Sequence, residues 1–79
     1  MLTVDLKKLH EVQLENGFMD IEVAGQMRRD VKTIRRMCGR DHGRGKAYKN
    51  AFDSFLEFCE VIGADPVKTF ERMLVKDKS

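Results

Sequence analysis

Nine of the fifteen basic residues of this 79-residue chain fall between Arg28 and Lys49. There Arg28, Arg29, Lys32, Arg35, Arg36, Arg40, Arg44, Lys46 and Lys49 are set against only Asp30 and Asp41, a net charge of +7, while the whole chain carries +2. The remainder is therefore acidic, at −5. A solvated helical surface ordinarily mixes signs to limit self-repulsion, so segregation on this scale implies a polyanionic partner for the middle of the chain. Guanidinium and ammonium groups at helical spacing offer two kinds of chemistry toward such a partner. They neutralise phosphates, and from an outward helix face they donate hydrogen bonds to the edges of bases.

Other chemistries find less support. Cys38 and His42, with Cys59 and His10, supply four metal donors, but at a spacing that matches no zinc finger. Both cysteines also fall on apolar helix faces, where free thiols are commonly buried. Gly45-Lys46 lacks the frame of a phosphate loop, because Arg40 stands at the needed first glycine and Ala47 at the needed Ser or Thr. No nucleophile and base occur in a supporting context, so no enzymatic activity, metal or cofactor is expected. His10 is expected on the surface of the first helix.

The elements that must position the cations are all helical. Apolar residues recur at helical spacing in nearly every segment, and strand-like alternation is missing, so the predicted fold class is all-α: a compact bundle of about five short helices in one domain spanning residues 1–79. A first helix is expected over residues 4–15, with Leu2, Leu6, Leu9 and Val12 on its apolar stripe, Leu14 off it, and Asn16-Gly17 as its stop. A second covers residues 20–27 with Asp20 as N-cap, Val23 and Met27 inward, and Ala24-Gly25 leaving room for a neighbouring backbone. A third begins after an Asp30 N-cap and ends at Gly39. Its Val31, Ile34, Met37 and Cys38 share one side, and Lys32, Arg35 and Arg36 the other. Residues 39–50, rich in Gly and charge, read as an exposed loop. The fourth helix, about residues 51–62, is the expected core helix through Phe52, Phe55, Leu56, Phe58, Cys59 and Ile62, ending at Gly63. Asp65-Pro66 starts a fifth as N-cap and first helical residue, with Val67, Phe70, Met73 and Leu74 as its apolar side, and residues 76–79 form a fraying tail.

Two helices joined by a tight turn, the second basic on its outer face, are the parts of a helix-turn-helix, here residues 20–38. An α-helix fits the major groove of B-DNA, about 12 Å wide, where each base pair displays a distinct donor and acceptor pattern. Over residues 6–74 the chain resembles the lambda-repressor-like family of Cro/CI-type helix-turn-helix regulators. Leu9-His-Glu-Val12 with Gly17-Phe18 is similar to the family's first helix and glycine stop, and Val23-Ala24 with Met27 to its second helix and small crossing residue. Asp30 to Met37 is similar to the recognition helix, and Phe55 to Pro66 to the fourth helix and the start of the fifth. The chain departs from the family at Arg28, where the turn usually has glycine, so either a non-glycine residue adopts that turn or the turn has another shape. It departs again at Arg29, where an apolar residue is usual and Val31 is the candidate to fill the core position, and at Asp20, which replaces a glutamine that often meets phosphate.

The resemblance implies base reading by Val31, Lys32, Arg35 and Arg36. Lys and Arg suit guanine O6 and N7, and Val suits a thymine methyl. It also implies Thr33 as a phosphate or base contact, and Arg28, Arg29, Arg40, Arg44 and Lys46 as phosphate contacts that set register. The function it implies is that of a sequence-specific regulator of transcription binding double-stranded DNA, a repressor or autoregulator of bacterial, phage or mobile-element type. Rival readings are an antitoxin or defence-system controller with the same helices, and a protein-interaction module using the basic face. RNA is disfavoured, because Tyr48 is the one tyrosine and the phenylalanines are committed to the core, leaving no stacking platform. Below about 80 residues a lone core supplies only about 3–5 kcal/mol, and an apolar surplus at Phe70, Met73, Leu74 and Val75 suggests a homodimer on an inverted-repeat operator. With no apolar run of 18 residues and no secretion signal at Met-Leu-Thr-Val-Asp, the expected location is cytoplasmic and off the membrane, with free thiols.

Overall fold

The computed structural model describes residues 2–40 and 52–76. Within them the chain forms β1 (Leu2–Val4), α1 (Lys7–Glu15), α2 (Asp20–Met27), α3 (Val31–Met37), α4 (Phe52–Ile62), α5 (Pro66–Met73) and β2 (Leu74–Lys76). The class is all-α, as the apolar periodicity predicts, with a short antiparallel ribbon added. Leu2 pairs with Lys76, Thr3 with Val75 and Val4 with Leu74. Among the described residues no helix is long and apolar enough to cross a membrane.

The ribbon shortens the first helix from its expected start at residue 4. Asp5 donates its N–H to the Met73 carbonyl at 2.8 Å, and its side chain accepts from the Lys7 N–H at 3.0 Å. The chain thus leaves strand pairing only at Asp5, and Leu2 is exposed rather than part of the apolar stripe. Likewise Leu74 belongs to β2 rather than to the fifth helix, and Lys76 pairs in the ribbon instead of opening a tail.

Four helices end in the same way. After α1, the Gly17 N–H bonds to Leu14 O and the Phe18 N–H to Gln13 O, and the equivalent pairs follow α2, α3 and α4. This arrangement satisfies helix-end carbonyls but places the residue just past the helix in the left-handed region. Glycine fills that position at Gly17, Gly39 and Gly63, whereas after α2 it is Arg28, at φ 56° and ψ 44°. Gly39 is constrained twice over, since a Cβ there would lie 3.0 Å from Leu6 Cβ. Gly25, expected to admit a neighbouring backbone, instead lies open, with nothing within 4 Å of where its Cβ would be.

The core draws on every helix, with Leu9, Val23, Ile34, Met37, Phe58 and Cys59 fully buried. α4 is its centre through Phe55, Phe58, Cys59 and Ile62. The expected inner faces of α4 and α5 are broader than what their neighbours cover: Phe52 is 70% exposed, Val67 65% and Phe70 42%, and Leu56 is also exposed. Thr69 takes the buried position on α5 beside Met73. Asp65 caps α5 as expected, accepting from the Val67 and Lys68 N–H groups ahead of Pro66.

Candidate nucleic-acid interface

α2 and α3 pack on each other and are joined by residues 28–30 alone. Ala24, buried in the core, presents only a methyl group, which lets neighbouring helices approach closely. The turn is possible because Arg28 adopts the left-handed conformation. Asp30 then stays extended (φ −70°, ψ 143°), and its carboxylate accepts from the Lys32 N–H at 3.0 Å, which starts α3. Ile34, Met37 and Cys38 are fully buried and fix the rotation of α3. Val31 is half-buried and packs on the core, so it presents less of itself outward, while Arg29 is exposed.

That anchoring decides where the cations go. At roughly 100° per residue, Arg35, Lys32 and Arg36 occupy an outward sector of about 100° on α3, with half-buried Thr33 at its flank. All three cations are exposed. Lys32 and Arg28 make no side-chain ion pair among the described residues. The remaining candidates sit differently. Arg29 turns to α4, where its guanidinium lies 3.3 Å from Ser54 Oγ and 3.9 Å from Glu57 Oε1. Arg40 donates to Asp20 Oδ2 at 2.6 Å. Arg44 and Lys46 lie outside the described residues, as does His42.

Asp20 is the unexpected centre of the polar side chains beside α3. It is the first residue of α2 and not its N-cap; Met19 takes that place, its N–H donating to Glu22 Oε1 at 3.0 Å. The Asp20 side chain is free to turn inward instead. Oδ1 accepts from Gln13 Nε2 at 2.9 Å, and Oδ2 takes Arg40 and lies 3.9 Å from Arg35 Nε. Gln13 itself is fully buried and completely engaged: Nε2 also donates to Phe18 O at 3.1 Å, and Cys38 Sγ donates to Oε1 at 3.6 Å. Burial works against ionisation of Asp20, but the hydrogen bonds from Gln13 and Arg40, with the charges of Arg40 and His10, outweigh it and hold the carboxyl below its usual value. Burial pushes the Cys38 thiol up to about 12, so it stays protonated and can act as a donor.

His10 is not the surface residue expected of it. It is half-buried, and its Nδ1 is sequestered without a hydrogen bond, 3.8 Å from Asp20 Oδ1. Spacing could not announce Gln13 or His10, because their partners come from other elements. The one sequence signal was the aspartate itself, standing in a position where an exposed acid would repel a polyanion. Among the described residues no three potential metal donors cluster, and both cysteines are free and buried. Comparison with family models, curated proteins and solved structures finds no match.

Proposed function

We propose that the chain is a sequence-specific double-stranded DNA-binding regulator of transcription, a repressor or autoregulator that reads the major groove with α3. One observation carries the reading: Lys32, Arg35 and Arg36 share one exposed sector of a helix whose opposite side is locked into the core by Ile34, Met37 and Cys38. A short rod held in this way can enter a groove without reorganising, and its tips reach base edges while Arg28 lies at the backbone. The carboxylate of Asp20, whose place beside the groove would repel phosphate, is spent on Gln13 and Arg40.

A recognition helix of this length spans only a few base pairs, so the reading includes a homodimer on two half-sites about 34–36 Å apart. Of the four residues that suggested the dimer from sequence, Phe70 is exposed. Met73 is buried inside the protomer, and Leu74 and Val75 are half-buried in the ribbon. Phe52, Leu56, Val67 and Phe70 are the exposed apolar side chains of α4 and α5.

Selection from a random duplex pool tests the reading directly. The expected product is one enriched sequence with inverted symmetry, bound with a log-log salt slope of about −4 to −5 per half-site. A pool that stays unenriched, or binding indifferent to salt, would reject it. Sedimentation at micromolar concentration with the enriched duplex reads the stoichiometry, and one protomer per complete site would reject the dimer.

A further inference from the structure

We infer that Asp20 is a positioning residue for base recognition, fixing the guanidinium of Arg35 so that its terminal nitrogens are presented as a pair. The inference rests on the DNA-binding reading above. Arg35 approaches Asp20 through Nε, at 3.9 Å, and its side chain is 54% exposed. That separation is an ion pair and not a hydrogen bond, so the carboxylate orients the fork without consuming its donors. The two Nη groups remain for the bidentate contact that suits guanine O6 and N7.

Two features separate this from an ordinary surface ion pair, which spends side-chain entropy for little gain. The first is that Asp20 is itself hydrogen-bonded on both oxygens. Its Oδ1 is held by Gln13, which is fully buried and tied to Phe18 O and to Cys38, the residue that follows α3. The carboxylate is thereby referenced to α1 and to the end of the recognition helix at once. The second is neutralisation. Arg40, at 2.6 Å, cancels the charge that would otherwise oppose an approaching phosphate. A side chain oriented before binding loses less freedom on binding, and the difference appears as discrimination between sequences.

The experiment compares an enriched duplex with a scrambled one. Asp20→Asn keeps the oxygen that accepts from Gln13 and removes the charge that holds Arg35. Its affinity for scrambled DNA should rise by about two- to fivefold, because the Arg40 guanidinium loses its carboxylate partner and its charge becomes available to phosphate. Its ratio of specific to non-specific affinity should fall by about tenfold or more. In an Arg35→Gln background the same substitution should leave the ratio within about twofold. Arg35→Lys, which keeps the charge and loses the fork, should lower the ratio as well. An undiminished ratio in D20N, or an equal fall in the Arg35→Gln background, overturns the inference. So does equal weakening on both duplexes with a lowered thermal midpoint, which would make Asp20 a residue of the fold alone. A wild-type chain that enriches no sequence, read without any variant, overturns the DNA-binding reading and this inference with it.

Discussion

The α2–α3 unit and the α4–α5 pair solve the same packing problem and leave opposite surfaces behind. α3 buries Ile34 and Met37 and turns cations outward, and the polar groups behind those cations are joined from Gln13 to Asp20 to Arg40. α4 buries Phe55, Phe58, Cys59 and Ile62 yet still exposes Phe52 and Leu56, and α5 adds Val67 and Phe70, the last meeting Phe55 edge-on with ring centroids 6.1 Å apart. On the proposed reading the first surface discriminates by the direction of its donors, which must be held. The second offers area, which needs no such support. Among the described residues the side-chain hydrogen-bond network from Gln13 to Asp20 and Arg40 lies behind the cationic face, which is the difference that the proposed function would require.

The sharpest way to break this comparison is to remove a large apolar group from each side. Ile34→Ala takes a fully buried side chain from the helix that carries the cations and should cost about 2–5 kcal/mol. Phe52→Ala removes more atoms from a residue that is largely exposed and should change stability by less than about 0.5 kcal/mol. Urea denaturation of both variants checks the pair. If the two losses are alike, Phe52 is covered in solution by something other than its own protomer's core.

Gly39→Ala should rank next, at about 1–2 kcal/mol by the same measurement. Its φ of +65° disfavours any side chain, and the new methyl would press on Leu6 at the entry to α1. Features such as this glycine were legible in the chain because their causes are local. The bounds of α2, the Asp30 and Asp65 caps and the glycine stops each follow from residues within one turn. What stayed hidden depends on partners far along the chain. Three-residue strands have no periodicity to detect, so Leu2–Val4 and Leu74–Lys76 looked like helix and tail. An apolar stripe states which residues prefer burial but not how many a neighbour can cover, and Phe52 and Val67 were overassigned for that reason. Asp20 had the composition of an N-cap, and only the inward route to Gln13, supplied by the turn at Gly17 and Phe18, drew its side chain elsewhere.

Acid should bear on the Asp20 network. The folded-state value of Asp20 lies below its unfolded one, so the native state binds fewer protons than the unfolded chain as the pH drops through about 4. The stabilisation is complete above the unfolded value and disappears as pH falls through the folded one. Wild-type urea midpoints should therefore decline from pH 6 to pH 3, and Asp20→Asn, lower at pH 6, should decline less steeply. Parallel curves would mean that the carboxylate gains nothing from Gln13 and Arg40 in solution.

The smallest expected effect lies in the turn between the two helices. Arg28 bears the left-handed strain that glycine relieves after the other three helices, a cost of about 1–2 kcal/mol for a residue with a Cβ. Glycine in its place would shed that strain and also loosen the unfolded chain, at roughly 0.5–1 kcal/mol. The balance favours Arg28→Gly by about 0.5 kcal/mol, a rise of a few degrees in thermal midpoint for a domain of this size. The substitution also removes a cation beside α3, so the same variant should bind scrambled duplex more weakly and with a salt slope shallower by about one. A gain in stability coupled to a loss in affinity would show that the arginine is kept at the turn in spite of the backbone. A loss of both would mean that the Arg28 side chain supports the fold directly, and the contrast between a face that holds cations and a face that offers area would no longer extend to the turn.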